Sequence, residues 1–255
     1  MSIIEEAAAD ILDRFGKGEH FPIHWKGRFD LMDGYRVQLR VADLRTANGD
    51  QRSGWKVGLT AKAIQEMEGF DEPIFAALFQ SGYRETGGQL RHAEMINPAF
   101  ENELCIVLGE PLQGPGVTPA MARRAIATVA PALEIVERRG KLSDAPPLGI
   151  ADNLGQKAYV VGEPVVISAN VDLAAATCAV HVNGEVILRG EGSAVLDDPV
   201  NSVVWLANKL GAFGRRIELG EPIMTGSFTL PTPLNVGDNI MTKFIPFGVA
   251  AVDIV

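Results

Sequence analysis

The sequence predicts an α+β fold in which a helical N-terminal part, residues 1–52, precedes a strand-rich body, residues 53–255. Before residue 50, apolar residues recur at the three-and-four spacing of amphipathic helices. From Trp55 onward the segments become short and β-branched, and Gly, Pro, Asn and Asp bound them, which is typical of strands and turns. A chain of 255 residues is long enough to bury one large core.

Two helices are expected in the N-terminal part. The first begins after Ser2, whose hydroxyl is placed to cap it while Glu5 reaches back, and it ends at Gly16. The second runs from about Phe29 to Ala47 and stops at an Asn-Gly-Asp sequence. Both present apolar residues on one face, so they are expected to pack against the body.

The body is predicted to alternate strands with two helices. The expected strands are Trp55–Thr60, Phe100–Leu108, Ala132–Val136, Tyr159–Val161, Thr177–Val182, Glu185–Leu188, Met241–Phe244 and Val249–Ile254. Asn183-Gly184 predicts a tight hairpin, because both residue types tolerate positive φ. The expected helices cover Ala120–Val129, with Thr118 as cap and Pro119 first, and Pro199–Leu210.

Composition narrows the functional class. The chain has 23 Lys and Arg against 32 Asp and Glu, a formal net charge of −9, which argues against binding a nucleic-acid backbone. Its apolar runs are too short and too interrupted to span a bilayer, and no secretory signal is visible. Cys105 and Cys178 lie in apolar stretches and are expected to be buried free thiols. The sequence thus predicts a cytoplasmic protein with no membrane or nucleic-acid partner.

Three glutamates stand out in otherwise apolar strands. Glu101 and Glu103 lie two residues apart, so they share one strand face, and two like charges beside a buried run are costly without a cation between them. Glu134 projects from a run that is otherwise free of charge. Three carboxylates without a nearby Cys or His favour a hard divalent cation, Mg²⁺ or Mn²⁺. The alternatives are a solvated strand start for the first pair and, for Glu134, a salt bridge to Arg138 or Arg139.

Lys56 is the fourth candidate. It lies in the middle of an expected strand with Gly58 on the same face, which would allow a ligand to approach closely. A lysine near a metal site can orient a substrate carboxylate or transfer a proton. The alternative is an ordinary lysine on an edge strand.

A series of segments along nearly the whole chain resembles one enzyme family. In chain order these segments are Gly54–Thr60, Asn97–Glu103, Ala130–Val136 with Arg139, Ala151–Asn153, Gly192–Leu196 with Pro199, Trp205–Asn208, Gly220–Ser227 and Pro233–Asp238. Together they resemble the 2-keto-4-pentenoate hydratase and 4-oxalocrotonate decarboxylase branch of the fumarylacetoacetate hydrolase superfamily.

The resemblance implies a mixed β-roll body with a small helical N-terminal part, and a homo-oligomer. It also implies Mg²⁺ or Mn²⁺ held by Glu101, Glu103 and Glu134, with Lys56 as a catalytic or substrate-orienting residue. Asp152 and the pair Thr225-Gly226 are expected to line the substrate pocket.

The activity that the resemblance implies is hydration of a 2-hydroxy-2,4-dienoate, such as 2-hydroxypenta-2,4-dienoate, to a 4-hydroxy-2-oxo acid in aromatic meta-cleavage catabolism. The alternatives are a 4-oxalocrotonate-type decarboxylase and a non-catalytic accessory subunit, since hydratases and decarboxylases of this branch associate. A carbon–carbon hydrolase is disfavoured, because the Phe-x-Lys-Pro segment typical of those relatives is replaced by Trp55–Gly58.

The chain departs from the family pattern at four places. Many hydratases carry Pro-Asp-Phe-Gly where this chain has Pro-Ile-Phe-Ala, with Ile74 in the acidic position, whereas the decarboxylases tend to carry Pro-Ile-Tyr-Gly. The other three departures are Leu154-Gly155 for a small Ala-Ser pair, Asp197-Asp198 for Gly-His, and Glu137-Arg138-Arg139 for Asp-Ser-Arg. The substrate is therefore expected to differ from that of a typical member.

Overall fold

The computed structural model describes residues 2–255. Within this range the α-helices are α1 Ile3–Gly16, α2 Leu31–Ala47, α3 Lys62–Glu68, α4 Pro119–Ala125, α5 Pro146–Ala151 and α6 Pro199–Gly211. None of the helices in the described range is long and apolar enough to cross a membrane.

The strands form two sheets. They are β1 Arg52–Gly58, β2 Ile74–Phe79, β3 Tyr83–Glu85, β4 Gly88–Leu90, β5 Pro98–Leu108, β6 Ile126–Glu137, β7 Gln156–Val161, β8 Val165–Val166, β9 Thr177–Val182, β10 Glu185–Glu191, β11 Pro222–Ser227, β12 Thr232–Pro233, β13 Asn239–Ile245 and β14 Gly248–Ile254. The larger sheet has the order β2-β1-β11-β5-β6-β7-β3, with β12 paired to β5 and β8 to β6. The smaller sheet has the order β10-β9-β13-β14-β4. Both sheets mix parallel and antiparallel pairs, which confirms the predicted α+β class.

The N-terminal helices form where the sequence predicts them. The Ser2 hydroxyl accepts a hydrogen bond from the Glu5 N–H, and the Asp30 carboxylate accepts one from the Asp33 N–H, so each helix begins at a side-chain cap. The second helix therefore starts at Leu31, two residues later than predicted. The second helix packs on both α1 and α5, and buried residues of the three helices form one apolar cluster.

Several stretches of the body differ from the prediction. Residues 126–129 were expected to end a helix, but they begin β6, because Val129 pairs with Ile106 in the long β5–β6 ladder. The sequence analysis did not predict β2, whose six residues are all buried and so lack the alternation of a half-buried strand. It also missed β11 and the short helices α3 and α5. The Asn183-Gly184 hairpin is confirmed, with φ values of 54° and 86°.

Alternation along β5 and β6 separates the core from the candidate site. Phe100, Leu133 and Ile135 point into the apolar layer between the two sheets. Because successive side chains of a strand point to opposite faces, Glu101 and Glu134 point away from that layer. Both cysteines are buried free thiols, as predicted, and burial raises the pKa of Cys178 to about 11.

Candidate metal centre and active site

The strand register brings the three glutamates together. Glu101 and Glu134 are direct partners across the antiparallel β5–β6 pair, and Glu103 follows Glu101 on the same face of β5. One carboxylate oxygen from each residue lies within 4.8 Å of the other two. The cluster therefore follows from alternation on two neighbouring strands, and the alternative of a solvated strand start is wrong, because Glu103 is only 1% exposed.

The three carboxylates together carry more negative charge than the neighbouring cation, Lys56, can balance. Burial raises the pKa of Glu134 to about 7, with Lys56 opposing this and Glu101 adding to it. Burial and the two neighbouring carboxylates raise the pKa of Glu103 well above its usual range. Within residues 2–255 neither oxygen of Glu134 has a hydrogen-bond partner. Buried carboxylate oxygens without partners are costly unless a cation coordinates them, so this donor set fits a divalent metal ion with oxygen ligands.

Lys56 lies beside the triad on a central strand. β1 is flanked by β2 and β11, so the alternative of an edge-strand lysine is wrong. Its Nζ lies 3.5 Å from Oε1 of Glu134, close enough for an ion pair but at the limit of a hydrogen bond. Burial would lower the pKa of Lys56, but the carboxylates, Glu134 foremost, outweigh it and raise that pKa above the ordinary value. Lys56 is therefore a buried, charged ammonium.

Thr225 and Gly226 lie behind Glu103. The Gly226 N–H donates a 2.7 Å hydrogen bond to Oε2 of Glu103, which fixes one carboxylate of the cluster. A Cβ at Gly226 would lie 2.4 Å from the Oγ1 of Thr60, and φ is +114°, so both the close approach and the conformation require glycine. The buried hydroxyl of Thr225 donates to the carbonyl of Leu104. Through these contacts Thr225 and Gly226 hold Glu103 and its strand in position.

A cavity of about 260 Å³ opens in front of Lys56 and Glu101. Asp152 lies in its wall, as does Phe21 from the segment between α1 and α2. An outer cavity of about 710 Å³ shares Gly58, Leu59, Glu101, Arg138, Leu142 and Pro231 with it and is bounded by α3. The candidate site therefore consists of two adjoining cavities, of which the smaller, with Lys56 and Asp152, is called the inner cavity and the larger the outer cavity or vestibule.

A buried ion network supports the pocket wall at Asp152. Arg139 donates to Glu137 at 2.6 Å and lies 3.4 Å from the Asp152 carboxylate, whose other oxygen accepts the Phe21 N–H at 3.0 Å. Burial raises the pKa of Asp152 to about 6 although Arg139 opposes the shift. The alternative of a salt bridge between Glu134 and Arg138 or Arg139 is wrong, because Arg139 pairs with Glu137 and Asp152, and Glu134 pairs with Lys56.

The sequence analysis did not predict this network as a unit. Glu137 appeared there only as a departure from a motif, although a second acid three residues after Glu134 and next to two arginines was a signal for a buried pair. Of the other departures, Ile74 and Leu154 line the inner cavity. Asp198 caps α6 and pairs with Arg123.

The comparisons with known proteins agree with this architecture. The fumarylacetoacetate hydrolase C-terminal family model matches residues 55–255. The chain is 38% identical over 213 residues to a 2-hydroxyhexa-2,4-dienoate hydratase from Comamonas testosteroni, covering 81% of this chain and 79% of that protein. It is 32% identical over 213 residues to a 4-oxalocrotonate decarboxylase from Pseudomonas sp. (strain CF600), covering 83% and 81%.

A solved structure extends the likeness to the N-terminal helices. The 4-oxalocrotonate decarboxylase from Pseudomonas putida G7, complexed with magnesium and adipate, superimposes with a TM-score of 0.92 at 29% identity, covering 99% of this chain and 97% of that one. The family model, the sequence relatives and the fold thus agree over the strand-rich body. The chain belongs to the fumarylacetoacetate hydrolase family.

Proposed function

We propose that the protein is a divalent-metal-dependent hydro-lyase that adds water to a 2-hydroxy-2,4-dienoate and gives a 4-hydroxy-2-oxo acid. The observation that carries the proposal is the triad of Glu101, Glu103 and Glu134, of which Glu101 lines the same cavity as Lys56. The names of the hydratase relatives support the reaction class.

The triad would hold the metal, Mg²⁺ or Mn²⁺. When bound there, the ion supplies Lewis acidity that polarises the carboxylate and 2-oxygen end of the substrate. Glu103 is held for this task by the Gly226 N–H, and the two oxygens of Glu134, which accept no hydrogen bond, are available as ligands. A magnesium complex of the Pseudomonas putida G7 relative supports a divalent ion.

Lys56 and Asp152 supply the protein's own proton-handling groups. The charged Lys56 Nζ can donate a hydrogen bond or a proton to the substrate at the end nearest the triad. Asp152 lies in the cavity wall and, with a pKa of about 6, is mainly ionised at neutral pH. Its carboxylate can therefore orient a polar group of the substrate or accept a hydrogen bond from water. The apolar side chains of Leu59, Ile74 and Leu154 limit the access of further water to this region.

A decarboxylase that acts on a 4-oxalocrotonate-type substrate is the second candidate. Ile74 lines the inner cavity where many hydratases of this branch carry an acidic residue, and the decarboxylases tend to carry isoleucine. The high TM-score to a decarboxylase also favours this candidate. The homo-oligomer, the association with a related hydratase or decarboxylase and the cytoplasmic location stay predictions from the sequence.

Product analysis by mass spectrometry tests the proposal. Purified protein is offered 2-hydroxypenta-2,4-dienoate and, separately, 4-oxalocrotonate, each with excess Mg²⁺ and with an EDTA control. Metal-dependent gain of water by the first substrate is the expected result. Loss of CO₂ from the second with the first untouched would assign the decarboxylase reaction, and no change in either would favour an accessory subunit.

A further inference from the structure

We propose that Arg138 binds a carboxylate at the distal end of the substrate, so that the preferred substrates are dicarboxylic 2-hydroxydienoates. This inference rests on the proposed function, because it concerns the substrate class of the same pocket. Arg138 lines both the inner cavity and the outer cavity, so it lies where the pocket meets the vestibule.

The main chain fixes the base of this side chain. Arg138 directly follows β6, and its N–H donates to the carbonyl of Ile96 at 3.2 Å. It lies four residues beyond Glu134, so the two Cα atoms are separated by about 13 Å along an extended strand. The main chain of Arg138 is therefore remote from Glu134, which suits a residue that binds the far end of a substrate whose first carboxylate is at the metal.

Unlike the other two cationic side chains of the pocket, Arg138 has no carboxylate partner. Lys56 is paired with Glu134, and Arg139 with Glu137 and Asp152. Among the described residues, no carboxylate lies within 4.0 Å of the Arg138 guanidinium, and the residue is exposed. Glu68 lines the outer cavity as well, but it does not pair with Arg138 within that distance. An exposed guanidinium without a partner at the mouth of a pocket is suited to bind a carboxylate through two parallel hydrogen bonds.

Much of the remaining wall of the inner cavity is apolar, and its other charged residues, Glu137, Arg139 and Asp152, pair with one another. Phe21, Leu59, Ile74, Leu142 and Leu154 are apolar side chains that offer no donor to an anion. A substrate that extends from the triad therefore has apolar side chains to contact and, at Arg138, a guanidinium without a carboxylate partner. This combination of surfaces matches a molecule with a carboxylate at each end.

An ion pair between Arg138 and a distal carboxylate would affect the two candidate reactions, hydration and decarboxylation, differently. A carboxylate that departs as CO₂ must lose its charge, and pairing with a guanidinium stabilises the charged ground state. In hydration the distal carboxylate stays on the substrate and keeps its charge. The same ion pair then adds binding energy without stabilising a charge that the reaction must remove. Arg138 therefore favours hydration of a dicarboxylic substrate over removal of its distal carboxylate.

Two matched substrates test the inference. 2-Hydroxyhepta-2,4-dienedioate differs from 2-hydroxyhexa-2,4-dienoate only by a carboxylate on the terminal carbon. With Mg²⁺, the wild type should show a kcat/KM at least ~10-fold higher for the dioate, the scale of a charge-assisted hydrogen bond. Arg138→Gln should lower kcat/KM for the dioate at least ~10-fold more than for the monocarboxylate, mainly through KM, and Arg138→Lys should retain part of the preference. Arg124→Gln, at an exposed arginine outside both cavities, is the matched control.

Binding of inert analogues provides a readout that is independent of turnover. Calorimetry with Mg²⁺ compares 2-oxoheptanedioate and 2-oxohexanoate, which lack the double bonds, and the same ~10-fold preference should appear in the wild type and vanish in Arg138→Gln. Equal affinities in the wild type, or an unchanged preference in the variant, would overturn the inference. A preference that depends on Arg138 without turnover of either dienoate would keep the inference and refute the proposed hydratase.

Discussion

The ammonium of Lys56 lies 3.5 Å from a carboxylate oxygen of Glu134, although β11 and β5 separate their strands in the sheet. Both side chains are nearly fully buried, at 6% and 0% exposure. One buried cation therefore faces the buried Glu103 and Glu134 and the half-buried Glu101, and only further positive charge would balance these three carboxylates.

Replacing Lys56 by methionine should separate its roles in chemistry and in charge balance. With Mg²⁺ present, Lys56→Met should stay folded and lose at least ~100-fold in kcat, the scale of acid–base catalysis. In EDTA the same variant should lose more thermal stability than the wild type, because its three acids are then without a cation. Thermal melts and steady-state kinetics measure both effects, with exposed Lys26→Met as control. Unchanged kinetics would remove Lys56 from the mechanism.

Glu134→Gln should abolish metal binding and turnover together. The substitution keeps the size of the side chain but removes the negative charge and leaves one carbonyl oxygen as a weaker ligand. Calorimetric titration with Mn²⁺ and product analysis measure the two losses. Glu110→Gln, at an exposed glutamate outside both cavities, should retain full binding and activity. Full activity of Glu134→Gln would refute the triad as the metal site.

Gly226→Ala should weaken metal affinity as well as stability. The new Cβ would collide with Thr60 at φ +114°, and the displaced N–H would release Glu103. We expect a loss of at least ~2 kcal/mol in the free energy of unfolding, typical of combined strain and overpacking, and at least ~10-fold in metal affinity. Gly237→Ala is the control, since φ there is +87° but no atom lies within 4 Å of its Cβ. Equal effects of the two variants on metal affinity would contradict the role of Gly226.

The raised pKa of Asp152 predicts a pH-dependent difference in stability. An acid with a folded pKa of about 6 and an unfolded pKa near 3.8 contributes stability below pH 4 that is lost as the pH rises through 6. Relative to Asp152→Asn, the wild type should therefore lose on the order of 2–3 kcal/mol of unfolding free energy between pH 4 and pH 7. Urea denaturation at four pH values measures this, with exposed Asp144→Asn as control. A difference that stays constant with pH would show that Asp152 is not shifted.

The candidate metal ligands could be predicted because they obey strand periodicity. Glu101, Glu103 and Glu134 each interrupt an apolar pattern, and a sheet places such interruptions on one face. The network of Glu137, Arg139 and Asp152 could not be predicted in this way. It joins the end of β6 to a turn after α5, and such contacts depend on tertiary packing that no local pattern specifies.

Similar limits apply to the secondary structure. The caps at Ser2 and Asp30 are local, so the helix starts were predictable to within two residues. The end of α4 at Ala125 is not local, because pairing with β5 converts the next residues into a strand. Tertiary hydrogen bonding thus overrides helix propensity at that position.

Phe21 lies in the wall of the inner cavity but outside residues 55–255, the part of the chain that the family model matches. The candidate metal ligands and this part of the pocket wall therefore belong to different portions of the polypeptide. Under the proposed function, exchange of the N-terminal portion between relatives would alter the wall at Phe21 and leave Arg138 and the three glutamates unchanged. Recombination at this boundary would thus vary the shape of the pocket independently of its charged groups.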